Sequence, residues 1–359
     1  MSWSTVQGIL IVCSACALPA CAAAIKPTVA PSIAASRMEE FWQPPVDISS
    51  GDLRYGPWGA ANAPNPDDTY TFVRKKRQGT NPGLTARDSR GREWHVKQGV
   101  EAQPEVVLSH VLAAVGYHQP PVYYLPSFTL VDESGRHQVT GGRFRLDAPG
   151  LKDVGSWSWD ENPFIGTRPY QGLLVMLVMF NSADLKNVNN TIYQVDQRDE
   201  SQQWFVVRDL GSSLGETGRF NPKENRLDVF ERHGFVTGLR DGFVEFEYHA
   251  IHGNLVRGHI RPEDVRWASE QLMMLTAQQW QDAFTAAGYS NDVSNRFIRR
   301  LHEKIDMGLQ FPAQHVATPS NSREQQEANH SGRVSRSLIV LPAMQSTPSQ
   351  PGPNPVVLA

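Results

Sequence analysis

Asp184-Leu185-Lys186-Asn187-Val188-Asn189, followed twenty residues on by Asp209-Leu210-Gly211, is the stretch from which the rest of the chain is read. It sets an acid, a base two positions later and an amide five positions later in one short loop, then a second acid in a turn that ends in glycine. Ahead of the loop, Pro169 opens a run through Leu173, Leu174, Met176, Leu177, Val178, Met179 and Phe180 that is apolar on every face, the pattern of a helix inside a core. Behind it, Ile192-Tyr193-Gln194-Val195 and Trp204-Phe205-Val206-Val207 read as strands joined by the wholly polar Asp196 to Gln203. Such a hairpin carries Asn189 and Asp209 to one place. At average usage of about 5% per residue, D-x-K-x-x-N arises by accident in about one chain in twenty of this length. A D-apolar-G within the next thirty residues multiplies that by a few hundredths, so the ordered pair carries more than either motif alone.

Working outward, the chain between about Asp67 and Phe311 divides into a β-rich part and a helical part. Thr69 to Arg74 alternates as a strand, residues 78–83 carry turn chemistry, and Trp94-His95-Val96-Lys97 is a second strand. Pro104 sits where a helix's first turn tolerates it and Gly116 closes that helix, with Val107, Val111, Ala114 and Val115 as its apolar stripe. Val122 to Val131 and His137 to Leu146 bracket Glu133-Ser134-Gly135 as a hairpin. Further on, Thr276 and Gln279 form a capping box ahead of Trp280, Phe284 and the terminator Gly288. Phe297, Leu301 and Ile305 make a last amphipathic stripe that ends at Gly308. The expected fold is α+β and two-lobed: a β-rich lobe over 67–146 and a mainly helical lobe over 147–312, with the polar motifs at their junction.

This arrangement resembles the protein-kinase-like fold, in the manner of divergent members such as the HipA-type, CotH-type and phosphoinositide-kinase-like groups. The resemblance covers roughly residues 67–310 and rests on few positions. It implies that Lys97 closes a strand like the lysine of V-A-I-K and neutralises the α- and β-phosphates of ATP, with Glu105 as its ion-pair partner and Glu101 in reserve. It implies that Asp184 orients or deprotonates the acceptor hydroxyl and that Lys186 offsets charge on the transferring phosphoryl group. Asn189 and Asp209 then hold Mg²⁺, or Mn²⁺, through hard oxygen ligands. The acceptor, a protein or a small molecule, is left open. The sequence departs from the family's pattern in three places. Ser182-Ala183 stands for the H-R of H-R-D, no A-P-E follows Asp209-Leu210-Gly211, and the glycine-rich loop is reduced to Gly79 and Gly83. An alternative of a different class therefore stays beside the phosphotransferase: an exported scaffold or binding lipoprotein that keeps a kinase-like fold without turnover.

Composition bounds the rest. The chain has 359 residues, 40% hydrophobic and 20% charged, ordinary for a globular protein. A net charge of -3 gives no electrostatic case for a nucleic-acid partner, and Arg74-Lys75-Lys76-Arg77 reads as a solvated strand end rather than an anion site. All three cysteines, Cys13, Cys16 and Cys21, lie in the first 21 residues, beside an uncharged, small or apolar run at 8–24 like the core of a secretory signal. Leu18-Pro19-Ala20-Cys21 resembles a bacterial lipobox, which implies a lipid anchor through Cys21, export and a periplasmic or outer-surface location for the mature chain. Cleavage after Cys21-Ala22-Ala23-Ala24 by an ordinary signal peptidase and a start at Met38 are the competing readings. Residues 22–66, rich in Pro, Ala and Ser, read as a tether, and 313–359 as a disordered tail. His249, His252 and His259 lack an H-E-x-x-H frame and read as surface or packing residues. Ser212 and Ser213 lack a base pattern for a hydrolase.

Overall fold

The computed structural model describes residues 33–76, 81–197, 200–218 and 223–311. The chain enters through a short helix, α1 (Ala35–Glu39), and builds β1 (Thr69–Lys75), β2 (Gly83–Arg87) and β3 (Glu93–Lys97) before helix α2 (Ala102–Ala114). A long hairpin follows, β4 (Val122–Asp132) and β5 (Gly135–Leu146). Strand β6 (Leu151–Gly155) leads to the buried helix α3 (Arg168–Met179) and then to the hairpin β7 (Asn190–Gln197) and β8 (Glu200–Val207). The remainder is α4 (Leu227–Arg232), a hairpin of β9 (Val236–Arg240) and β10 (Phe243–Phe246), and helices α5 (Pro262–Met273), α6 (Ala277–Ala286) and α7 (Asn291–Gln310). The β-rich part thus precedes the helical part, in the α+β order the sequence implies.

The first five strands close into a barrel in the order β1-β2-β3-β5-β4, with β1 and β4 parallel and the other pairs antiparallel. Alternation along each strand fills it. Tyr70, Trp94, Val96, Phe128 and Phe144 point inward and form one core, while Lys97, His95, Arg143 and Arg145 occupy the intervening positions. Closure removes the sheet's free edges. A second, larger core lies between α2, α3 and the C-terminal helices. Helix α2 was expected to show one apolar stripe, yet it is buried from Pro104 to Leu112 on every face, because it packs against both the barrel strands and α6. Thr167 caps α3, its side chain accepting from the Tyr170 N–H, and Pro169 occupies the first turn. Thr276 and Gln279 form the expected box at α6. Gly308 does not end α7. A Cβ there would lie 2.1 Å from Ser269 Oγ, so this glycine lets α7 cross α5 closely and the helix runs on to Gln310.

The tether reading fails for the described part of 22–66. Phe41 is 1% exposed, stacked on Phe164 at a centroid distance of 4.7 Å, and Ile48 and Leu53 are buried in the same core. The Trp42 indole donates to Val115 O (2.8 Å), and Phe205 N–H donates to Glu40 O (2.8 Å). Prolines and glycines give this segment its tether-like composition, but they serve turns between scattered anchors. Gly56, at φ 67, leaves only 2.8 Å between an added Cβ and the buried His110 ring. His110 of α2 ties this segment to β4, with ring nitrogens 2.9 Å from Leu53 O and 2.8 Å from Val122 O. The signal, lipobox and tail assignments at 1–32 and 313–359 lie outside the described residues. Phe41→Ala is expected to cost about 3–5 kcal/mol in chemical denaturation, the range for a buried Phe truncation. A change within about 0.5 kcal/mol, the scale of a solvated position, would restore the tether.

Candidate active site

Three chain segments meet on the Lys97 ammonium. It closes β3 at 3% exposure and pairs with Glu101 (2.7 Å) and Glu105 (3.0 Å) at the start of α2. Its third partner is Asp209 Oδ1, in close contact. Burial alone would depress the lysine's pKa; the carboxylates of Glu105 and Asp209 overturn that and raise it. Glu105 shows the mirror image. Burial would raise its pKa, but Arg143 and then Lys97 hold it down to about 2. Arg143 Nε lies 3.0 Å from Glu105 Oε1, although its N–H is not aimed into a hydrogen bond, and its Nη1 donates to His95 O (2.9 Å). Glu101 keeps a raised pKa because desolvation outweighs its contact with Lys97.

The Asp209 turn is locked to α2 by the backbone. Asp209 adopts φ 58, a left-handed conformation that Asp tolerates better than most residues. Two residues on, a Cβ on Gly211 would lie 2.5 Å from both the Cβ and the carbonyl oxygen of Glu101. Only glycine lets the turn pass so close to the head of the helix. Beyond it the chain runs beside the 181–189 loop: Ala183 N–H donates to Ser212 O (2.8 Å), Leu214 N–H to Phe180 O (2.9 Å), and Asn181 Nδ2 to Gly215 O (2.6 Å). Lys304 of α7, wholly buried, donates to Met179 O (2.9 Å) and Asn181 Oδ1 (2.8 Å) and fixes the start of that loop. Burial pushes its pKa well below the usual lysine value.

The expected hairpin forms with Asn190 opposite Val207 and Ile192 opposite Phe205. Its open end is tied by Arg208 N–H donating to Asn189 O (3.1 Å), which sets Asn189 beside Arg208-Asp209. Asn189, Lys97 and Asp209 line one cavity of about 690 Å³. Asn189 Nδ2 donates to Asp184 O (3.1 Å), which leaves its carbonyl oxygen turned away from that bond. The Asn189 carbonyl and the Asp209 carboxylate are hard oxygen donors of the kind a phosphate-bound Mg²⁺ takes in ones and twos, and this donor set fits such an ion. Asp184 and Lys186 stand apart. They pair with each other (2.9 Å), half-exposed beside Asn189, and neither lines the cavity.

The cavity also contains side chains that the motif reading passed over. Arg143, Arg145, Arg208 and His95 line it, and Arg74, Lys75 and Lys76 reach the same space. From its sequence the run at Arg74 reads as a solvated strand end. Arg74 to Lys76 are indeed exposed, but the barrel turns them onto the cleft. The signal was present in Arg143-Phe144-Arg145-Leu146, where cations alternate with core residues along one strand. By contrast Trp157 and Trp159 are core, ring centroids 4.7 Å apart.

No protein-family model matches the chain, and no curated protein matches it. Among solved structures it is similar to the proinflammatory kinase CtkA of Helicobacter pylori (11% identity over 67% of this chain and 99% of that one, TM-score 0.29). It is similar also to the Golgi casein kinase with Mn and ADP bound (10%, 78% and 87%, TM-score 0.33), and to a MAP kinase from Leishmania major (11%, 70% and 84%, TM-score 0.20). All three are kinases by name, and none superimposes tightly.

Burial, then the neighbouring Arg145, hold the His95 imidazole down to about 4 against an ordinary value near 6.5. Below the ordinary value the unfolded chain takes up a proton that the folded chain refuses. His95 therefore favours the folded state above about pH 6.5 and progressively less as pH falls towards 4. Melting temperatures between pH 7.5 and 4.5 should fall for the wild type and fall less steeply for His95→Gln. Parallel curves would place His95 in contact with water.

Proposed function

We propose that the chain is a kinase-like phosphotransferase that uses ATP with Mg²⁺, Mn²⁺ serving as well, on an acceptor hydroxyl of a protein or small molecule. One observation carries the reading: a buried lysine on a strand joins the first turn of the following helix to the Asp of a D-L-G turn, at the mouth of a cavity that also holds Asn189. Lys97 would meet the α- and β-phosphates, with Glu105, itself paired with Arg143, keeping it charged and in place. Asn189 and Asp209 would hold the metal, which supplies positive charge to offset that of the phosphates.

Asp184 would accept the hydroxyl proton as the acceptor oxygen bonds to the γ-phosphorus and the bridging P–O bond breaks, leaving the nucleoside diphosphate. Lys186, already paired with Asp184, would offset the charge on the transferring group. The position of Asp184 outside the cavity suits a group that receives a second substrate rather than the nucleotide. We propose further that the chain is exported and anchored through Cys21, a reading supported by the uncharged run at 8–24 alone. Mass spectrometry of the mature N-terminus decides it: an acylated Cys21 supports the anchor, and a start at Met38 removes export.

Asp209→Asn should abolish Mg²⁺-dependent thermal stabilisation by ATP while leaving the unliganded melting temperature nearly unchanged. Asp184→Asn should retain nucleotide binding and lose phosphoryl transfer by a factor of about 10² or more, the scale of general-base catalysis. Wild-type protein that shows no shift with ATP and either metal would instead be the scaffold.

A further inference from the structure

The cavity wall around Arg145 does not suit an uncharged group. The cavity floor is the outer face of β3 and β5, where His95 stands directly opposite Arg145 and Lys97 opposite Arg143. Arg208 faces them from the β8 end, donating to Tyr193 Oη (3.0 Å) and pairing with Asp153 (3.3 Å). Arg143 is committed to Glu105 and His95 O. Arg145 is different. It is half-buried and lines the cavity, yet among the described residues no hydrogen bond or ion pair reaches its guanidinium. Desolvation, then the neighbouring Arg143 and Arg208, pull its pKa down to about 10 against the weaker opposing influence of Tyr193 and Glu105. A guanidinium has five N–H donors, and holding one partly desolvated between two like charges is unfavourable unless an anion completes the site.

The balance of charge over the whole cavity agrees. Lys97, Arg74, Lys75, Lys76, Arg143, Arg145 and Arg208 line it against the single carboxylate of Asp209, in a chain whose net charge is -3. One triphosphate at Lys97 leaves the Arg145 end unanswered. Leu84 and Val188 add aliphatic surface to the same lining, on which a sugar or base can rest.

Building on the nucleotide reading above, we propose that Arg145, with Arg143 and Arg208, forms a second anion site, and that the ligand of this cleft is a nucleotide carrying phosphate on its sugar as well as at its 5′ end. A planar, forked guanidinium suits a phosphate monoester, which it can grip through two parallel N–H···O bonds.

A matched pair of probes isolates that second phosphate: adenosine 3′,5′-bisphosphate and AMP, titrated calorimetrically into the full chain. The bisphosphate is expected to bind at least tenfold more tightly. Arg145→Gln should erase the difference, and Arg299→Gln, which removes a cation of the exposed α7 surface, should keep it. Because Arg145 has no hydrogen bond or ion pair among the described residues to lose, and its removal also relieves repulsion with Arg143 and Arg208, Arg145→Gln should melt close to wild type; if it fails to fold, Arg208→Gln carries the same binding expectation. A preference under twofold, or one that survives Arg145→Gln, overturns the second site, as does an equal loss in Arg299→Gln, which would mark mere net-charge attraction. Mg²⁺-dependent stabilisation by ATP, measured alongside, separates the two readings. ATP stabilisation without bisphosphate preference overturns the second site alone, and preference without any ATP effect upholds it while the phosphotransferase falls. If none of the three nucleotides binds, both readings fall.

Discussion

Everything at the junction of the two parts hangs on the charge of Lys97. An ammonium so deeply buried is unfavourable alone, and three carboxylates answer it: Glu101 and Glu105 from α2, and Asp209 from the turn after β8. Removing the buried Glu105 is expected to cost about 3–5 kcal/mol, because Lys97 and Arg143 are left undercompensated, whereas Asp209 is 38% exposed and water softens its loss. The cluster is thus a positional constraint. It fixes the rotation of α2, and with it the height of the D-L-G turn, because Gly211 passes against the backbone of Glu101. Glu105 is shared in turn with Arg143 of β5, so the barrel, the helix and the turn are one electrostatic unit.

That unit explains how a mildly acidic molecule can present a cationic cleft. Each carboxylate near Lys97 touches a cation, whereas no carboxylate is in direct contact with Arg145 among the described residues. Low-dielectric walls concentrate the resulting field within the cavity rather than over the surface. Opposite charges carry Lys97 up and Glu105 down against the effect of burial, whereas burial, reinforced by neighbouring like charges, carries His95 and Arg145 down. The cleft therefore has two ends of different character. At one a cation stands among carboxylates, with oxygen donors beside it, and at the other cations stand together.

Much of this architecture is legible from local pattern. The β4–β5 and β7–β8 hairpins, the buried α3 and the capped α6 follow from alternation, composition and cap residues within a dozen positions. The Lys97–Glu105 contact was also within reach, since a strand end and the next helix's first turn are close in the chain. What escaped is what depends on distant segments. Residues 33–66 carry no periodicity because they cross the core irregularly, held by single anchors such as Phe41 and Trp42. Strand β6 finds its partner in β7, about forty residues later, and reads in isolation as a loop. Arg143 and Arg145 alternate visibly, but only closure of the barrel reveals that their face becomes the floor of a cavity rather than open surface.

A phosphotransferase of this kind requires that a metal and a triphosphate meet at this cluster. The most direct measurement is the anomalous difference map, at a wavelength where manganese scatters strongly, of crystals grown with Mn²⁺ and a non-hydrolysable ATP analogue. The predicted result is a manganese peak bound by Asn189 Oδ1 and the Asp209 carboxylate, with phosphate oxygens within hydrogen-bonding distance of Lys97 Nζ. A triphosphate and metal bound on any other face, with Lys97 still enclosed by Glu101, Glu105 and Asp209, would contradict it.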